Sequence, residues 1–497
     1  MNQRYSYQME LSGIAESLEN KTILVTGSTG FLAKIFVEKV LRIQPNVKRL
    51  FLLLRAADSK AATHRLHNEV IGKEVFRVLK EKYVGLDSFI WDKVTPVLGD
   101  IACENLGVKD SDLRDEMSRE IDVVVNLAAT TNFDERYDVA LGINTLGAKH
   151  VLDFAKKCPK LQMLLHVSTA YVCGEKEGLI IENPLYMGET LNGTPVLDIE
   201  VELKLAEERL NELLSEEATE EAETVAMKEM GIKRARLYGW PNTYVFTKAM
   251  GEMILGHLRN NLPLVIIRPT IITSTYREPF PGWVEGVRTI DSFAIAYGKG
   301  KSTCFLGDPE SIIDAIPGDM VVNSMIVAMV AHANQPGEFI YQVGSSARNP
   351  MKLAMLPDVG YRYFSENPWI SKNGKPIKVR KATILNTAAS FHRFMAIHYI
   401  LPLKGLKVVN MAFCQYFRNI YNDYNRKIQY AMRLVELYNP YLFFNGVFDD
   451  TNSEKLRMAV RENGVEMDMF YFDPTSIDWD DYFMNIHIPG VVRYVFK

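Results

Sequence analysis

Lys21-Thr22-Ile23-Leu24-Val25-Thr26-Gly27-Ser28-Thr29-Gly30-Phe31-Leu32-Ala33 is the stretch whose reading decides the fold. Ile23 to Val25 is a short apolar run of the kind that forms a strand buried on both faces. It ends in glycine. From Phe31 the apolar residues change period, with Ile35, Phe36, Val37, Val40 and Leu41 at helical spacing until Pro45 stops the helix. Strand, glycine turn, helix is therefore the expected order. Gly27, Gly30 and Ala33 form a G-x-x-G-x-x-A pattern. The glycines permit a tight turn and close approach of backbone to phosphate, and the small Ala33 lets helix and strand pack closely. Gly27, Ser28, Thr29, Gly30, Phe31 and Leu32 thus make a bed for a dinucleotide pyrophosphate at a helix N-terminus, where N–H groups and the dipole favour anions.

The same rhythm continues outward. Arg49 to Arg55, Val94 to Leu98, Asp122 to Ala129, Leu161 to Ser168 and Pro263 to Arg268 read as further apolar strands, with helical stretches between them. Alternation of this kind implies an α/β fold with a doubly wound parallel sheet. One interval breaks it. Between Ser168 and Tyr244 lies an insertion, about residues 185–238, whose Ile199 to Met230 segment is rich in Glu, Leu and Ala at helical spacing. It reads as a solvated helical hairpin or as a cap over the substrate mouth. Beyond Gly344 the chain becomes loop-rich. From Ala389 it is helical and aromatic, through Phe391, Phe394, Tyr399, Phe413, Tyr416 and Tyr424 to Tyr441-Leu442-Phe443-Phe444. The expected division is residues 1–380 and 381–497.

Bulk properties narrow the classes. A chain of 497 residues exceeds one ordinary core. Hydrophobic content of 47% and charged content of 24% are those of a globular protein. A net charge of −4 with dispersed Lys and Arg gives no reason to expect nucleic acid. Five scattered cysteines and nine histidines without ligand spacing argue against a metal or a disulfide framework and fit a reducing compartment. Met1 to Tyr5, followed by Glu10 and Glu16, resembles neither a signal nor a transit peptide. No apolar run is long enough to span a bilayer, and Met320 to Ala333 reads as a buried helix. Phe394 to Leu403, flanked by Arg393 and Lys404, could instead rest in a membrane interface.

Chemistry concentrates at the strand ends. Arg55 closes the second strand, where an acid would hold a ribose 2′-hydroxyl; an arginine instead pairs with a 2′-phosphate, so NADPH is expected. Asp100 and Ile101 follow the third strand and are placed to hold adenine. Asn126 and Ala128 leave the fourth, where backbone must approach a cofactor. Arg268-Pro269-Thr270 ends the sixth and is placed to shape a nicotinamide pocket. Tyr244 and Lys248 are four apart, hence on one helix face. A free tyrosine titrates at about 10; a neighbouring ammonium should lower that and let the phenol deliver a proton. A hydroxyl from His166-Val167-Ser168-Thr169-Ala170-Tyr171 can share the substrate oxygen with Tyr244.

Together these residues resemble the extended short-chain dehydrogenase/reductase superfamily, with its Rossmann-like fold. The whole chain is similar to plant alcohol-forming fatty acyl-CoA reductases. The matching segments are Val25 to Lys34, Asn126 to Glu135, His166 to Tyr171, Gly239 to Tyr244, Pro279 to Trp283 and the C-terminal Phe472-Asp473-Pro474 with Ile477-Asp478-Trp479. The resemblance implies NADPH, a long-chain or very-long-chain acyl-CoA substrate and the Tyr244/Lys248 pair. It assigns the second hydroxyl to Thr169. It implies two successive reductions, through a bound aldehyde to a primary alcohol for wax, cutin- or suberin-associated lipid. It places the protein at the cytosolic face of the endoplasmic reticulum, with the cytoplasm as the alternative. Asn126 departs from the wider superfamily, where histidine is common. A reductase stopping at the aldehyde, a sugar-nucleotide reductase or epimerase, and a silent dinucleotide-binding scaffold are the rivals. The scaffold is disfavoured by the presence of both Tyr244 and Lys248. Chain-length preference and oligomeric state are not encoded in these motifs.

Overall fold

The computed structural model describes residues 13–83, 85–193, 196–287, 289–464 and 466–496. The reading of Met1 to Tyr5 and of Glu10 lies outside the described residues. The central sheet contains β1 (Thr22–Thr26), β2 (Arg49–Leu54), β3 (Val94–Leu98), β4 (Val123–Asn126), β5 (Met163–Val167), β6 (Leu264–Pro269) and β7 (Glu338–Val343). All neighbours are parallel, and their order is 7-6-5-4-1-2-3. The chain reverses its direction of build between β1 and β4, which opens a crevice at the carboxyl ends of the strands.

The strand interiors are buried on both faces, as their continuous apolar runs require. Ile23, Val25, Val123, Val125, Val265 and Ile267 enter one core; Leu24, Val124, Leu164, Leu264 and Ile266 enter another on the opposite face. Six strands lie where the sequence pattern puts them. β4 stops at Asn126, so Leu127 to Ala129 peel away toward the crevice instead of extending the strand. β7 escaped the pattern because Glu338 and Gln342 interrupt its apolar run. Gln342 is buried nonetheless: its side chain donates to the Ile180 carbonyl at 3.2 Å, and its backbone N–H donates to Glu182 at 2.7 Å.

The helices that matter below are α1 (Phe31–Ile43), α2 (Ile199–Ser215), α3 (Glu220–Leu237), α4 (Thr243–Leu258), α5 (Gly318–Ala331), α6 (Leu401–Ala412) and α7 (Arg418–Leu442). α5 is the buried helix expected at Met320 to Ala333. A Cβ on its Gly318 would lie 2.6 Å from the Phe31 ring, so the glycine sets how closely α5 meets α1. α2 and α3 form the inserted hairpin, capped by Asp198 and Thr219. Buried Glu202 on α2 accepts from Tyr137 Oη at 2.7 Å, Arg234 Nε at 2.8 Å and Tyr238 Oη at 3.1 Å. A buried carboxylate satisfied this fully fixes the hairpin behind α4.

Late segments are stitched to early ones. Gly446–Phe448 pairs in parallel with Gly178–Ile180, and Thr383–Leu385 with Cys304–Leu306. Near the end of the chain, Tyr482 Oη donates to Ser274 O at 2.7 Å and lies 2.8 Å from Thr273 Oγ1. His487, fully buried, places Nδ1 3.1 Å from Ser274 Oγ and Nε2 3.1 Å from Asp291. His392 and His398, by contrast, are exposed.

Candidate active site

A cleft of about 520 Å³ opens at the carboxyl ends of β1, β2, β3 and β4. Gly27, Ser28, Thr29 and Gly30 form its floor, Arg55 and Asp100 its sides, and Ile101 and Ala128 its inner wall. Gly27 has φ +65, and a Cβ there would stand 2.7 Å from the Ala128 N. Both observations demand glycine. Gly30 caps α1 through its backbone, whose carbonyl accepts from Lys34 N at 3.1 Å. The cleft has the size, glycine floor and helix N-terminus that a dinucleotide needs.

Phe31 and Leu32 do not line this cleft with their side chains. The Phe31 ring stacks on Trp283 at 5.0 Å, in the core. Asn126 is also turned away: its Oδ1 accepts from Thr26 Oγ1 at 2.6 Å and its Nδ2 meets His166 Nδ1 at 2.9 Å. Its place is therefore to fix the β1 and β4 ends, since Thr26 Oγ1 in turn accepts from Ala128 N at 3.2 Å. Pro269 and Thr270 lie outside the cleft as well. Thr270 N donates to Val343 O at 3.1 Å, and Arg268 is buried in an ion pair with Glu252, as close as 2.5 Å.

Tyr244 sits in the first turn of α4, whose N-cap Asn242 accepts from Val245 N at 3.1 Å. The loop that leaves β4 links it to the cleft: Thr130 and Thr131 line the cleft, and Phe133 stacks on Tyr244 at 5.7 Å. The Tyr244 hydroxyl shares a hydrogen bond with the Thr169 side chain. Thr169 is itself held in place, accepting from Tyr171 N at 3.4 Å. The adjacent Ser168 hydroxyl is buried and has no hydrogen-bond partner among the described residues. Of the two hydroxyls at the end of β5, Thr169 is the one that engages the phenol.

Lys248 differs from the sequence expectation. Its Nζ donates to Val167 O at 2.7 Å and stands 3.1 Å from His166 Nε2. Burial pulls its pKa down to about 8, against the opposing pull of Glu252. The Tyr244 phenol is pushed up, to about 12, by burial, and Thr169 opposes that shift. Lys248 is not among the groups that shift the phenol, because its ammonium is committed to the Val167 carbonyl on β5. His166 is held well below its ordinary value by burial and by Lys248, so it is neutral.

Beyond Phe133 lies an enclosed apolar chamber of about 70 Å³, walled by Ile271, Phe293, Tyr297, Leu353, Tyr438 and Tyr441 among others. Phe133 bridges the chamber and the phenol: its ring is 5.2 Å from those of both Tyr438 and Tyr441. A dinucleotide cleft, a hydroxyl pair and an apolar recess therefore follow one another.

Residues 25–325 match an NAD-binding family described as male sterility protein, and residues 398–497 match a second family of that description. The chain is 60% identical to an alcohol-forming fatty acyl-CoA reductase of Simmondsia chinensis over 489 residues, covering 98% of this chain and 99% of the relative. It belongs to the fatty acyl-CoA reductase family. Fatty acyl-CoA reductase 1 of Arabidopsis thaliana is 54% identical, with 98% and 99% covered. Among solved structures, the terminal R domain of the myxalamid biosynthetic pathway superposes with a TM-score of 0.56 at 16% identity, covering 96% of this chain and 91% of that one, a likeness of fold.

Several residues of this candidate site carry no local sequence signal. Arg65 joins Arg55 at the cleft and donates to its carbonyl. Buried Asn144 ties Thr130 to α4, accepting from Thr130 N at 3.0 Å and donating to Thr247 Oγ1 at 3.0 Å. Tyr441 accepts from Asn242 Nδ2 at 2.7 Å and so steadies the cap of the helix that carries Tyr244. His166 and Tyr441 lie inside segments that stand out in the sequence, but their neighbours in space are not visible there. Among the described residues, no cluster of three or more His, Cys, Asp or Glu side chains is arranged to hold a metal.

Proposed function

We propose that this reductase takes a long-chain or very-long-chain fatty acyl-CoA to the primary alcohol in two successive reductions, with NADPH as the reductant. The observation that carries this reading is the Tyr244–Thr169 hydroxyl pair, set between a dinucleotide cleft and an apolar recess. A bound nicotinamide dinucleotide supplies the hydride. The chain's own residues do the rest. Gly27 to Gly30 receive the pyrophosphate, and Arg55, which has no ion-pair partner among the described residues, faces a 2′-phosphate with Arg65 beside it. Asp100 and Ile101 flank the adenine. Thr169 and Tyr244 donate their hydroxyls to the carbonyl oxygen as negative charge develops on it. In the first reduction the hemithioacetal collapses to the aldehyde and releases CoA as its thiol; in the second, Tyr244, protonated throughout the neutral range, donates its proton to the alkoxide. Lys248 keeps β5 and α4 in register through Val167. Phe133 and Tyr441 exclude water from the thioester, and the chamber beyond them receives the start of the acyl chain.

Residues 1–380 then hold cofactor and chemistry, and 381–497 supply the far wall of the recess. The product feeds wax, cutin- or suberin-associated lipid, at the cytosolic face of the endoplasmic reticulum. The test is incubation of the purified protein with NADPH and a series of saturated acyl-CoAs, with products separated by chromatography. Alcohol is the expected product. Aldehyde alone would overturn the second reduction, and no product at any chain length would overturn the whole reading. Substituting NADH separates the cofactor assignment from the substrate assignment.

A further inference from the structure

Exposed large apolar side chains are scattered over the molecule but are densest in one segment. Ile397, Leu401, Val408, Met411, Phe413, Tyr416, Ile420 and Tyr424 all fall on the α6–α7 hairpin or the turn before it. Tyr416 is 82% exposed and Phe413 62%. The hairpin is a built feature. Buried Asn410 accepts from Phe417 N at 2.8 Å and donates to Gln415 at 3.0 Å, while Cys414 and Gln415 take positive φ to make a tight reversal. The turn is thereby held with Phe413 and Tyr416 facing outward. α6 buries Leu403 and Asn410, two turns apart, and leaves Leu401, Lys404, Val408 and Met411 along one exposed face.

Charge distinguishes the occupant. Residues 388–430 carry Arg393, Lys404, Lys407, Arg418, Arg426 and Lys427 against the single acid Asp423, in a chain whose net charge is −4. An apolar face rimmed by cations, with tyrosines at the boundary, matches the interface of an anionic bilayer. Among the described residues no helix is long and apolar enough to cross a membrane. Within the Phe394 to Leu403 segment singled out from the sequence, Met395 and Leu403 face inward while Ile397, Tyr399 and Leu401 are exposed.

We propose that the α6–α7 hairpin docks the protein on an anionic phospholipid surface, with Leu401, Val408, Met411, Phe413 and Tyr416 entering the interface and Lys404, Lys407 and Arg418 meeting the headgroups. This goes beyond the reduction reading and does not depend on it. α7 continues from this surface to Tyr438 and Tyr441, at the chamber wall.

The test is flotation of the purified full chain with vesicles of phosphatidylcholine alone or mixed with phosphatidylserine, at low and high salt. The wild type should float with the mixed vesicles, less with phosphatidylcholine, and less again in high salt. Lys404→Glu/Lys407→Glu should weaken binding by roughly fivefold or more per cation. Phe413→Ser/Tyr416→Ser should release the protein at either salt. Both variants should keep the wild-type Tm, which excludes unfolding as the cause. A wild type that floats with neither vesicle overturns the proposal. So does a wild-type dimer on size exclusion that becomes monomeric in Phe413→Ser/Tyr416→Ser without lipid, since the face would then belong to a second copy.

Discussion

The two ends of the active site are made of different material. At the nucleotide end, Gly27 to Gly30, Arg55, Asp100 and Ala128 each follow directly on their own strand, and much of what they offer is backbone. At the carbonyl end, Tyr244 meets Thr169 from β5, Phe133 from the loop after β4, and an N-cap held by Tyr441, which lies 199 positions beyond Asn242. One end is assembled by local turns, the other by tertiary packing. A substitution at the nucleotide end therefore acts through the space it fills, whereas one at the carbonyl end acts through the group it removes.

The sharpest test of that contrast is Tyr244→Phe. It removes only a hydroxyl, and turnover should fall by about 10²- to 10⁴-fold while NADPH binding, followed by fluorescence titration, is unchanged. Turnover retained by the variant would remove the phenol from the chemistry. Gly27→Val is the opposite kind of change. It adds atoms where φ is +65 and the Ala128 N stands 2.7 Å from the new Cβ, so about 1–3 kcal/mol of strain should appear as a lower Tm with weakened dinucleotide binding.

That asymmetry also explains what was legible beforehand. The strand–glycine–helix order, six of seven strands and the linings contributed by Arg55, Asp100 and Ala128 follow from residues adjacent in sequence, because a βα turn is a local object. β7 was hidden since its polar Gln342 is buried, with its amide donating to Ile180, a partner far away. Thr169 meets Tyr244 from the end of β5, a strand legible in the sequence, whereas nothing in the spacing reports the burial of the phenol. Its pKa depends on how deeply tertiary packing buries it. At Phe31 and Asn126 the position beside a strand end fixes where the backbone goes, while packing turns the side chains toward Trp283 and toward Thr26 and His166.

Three smaller effects sharpen the carbonyl end. Gly360 faces Tyr297 across the chamber, with a Cβ position 3.5 Å from that ring. Gly360→Leu should narrow the recess and raise KM for acyl-CoA of every chain length that fills it, by an amount near the 1–3 kcal/mol of overpacking, with acetyl-CoA least affected. Competition between a long-chain acyl-CoA and acetyl-CoA measures it directly. Tyr441→Phe leaves Asn242 Nδ2 without its partner and should lower stability by about 1 kcal/mol, read as a denaturation midpoint shift. The mildest prediction concerns pH. Lys248, at about 8, is charged below that value and neutral above it, whereas Tyr244, at about 12, does not titrate in the range. If the ammonium supports turnover, the rate should decline as pH rises through about 8. Lys248→Met should be slow at every pH and lack that decline.

The bond from Tyr441 to Asn242 has a consequence for biogenesis. Synthesis runs from the N-terminus, and domains tend to fold as they emerge. The parallel sheet can close once β7 has appeared, yet the turn bearing Tyr244 is still missing its anchor. Tyr441 must be translated, and α7 must settle, before that anchor is in place. A nascent chain would thus pass through a stage with a finished nucleotide cleft and an unfinished reaction centre, able to bind its coenzyme before it can use it.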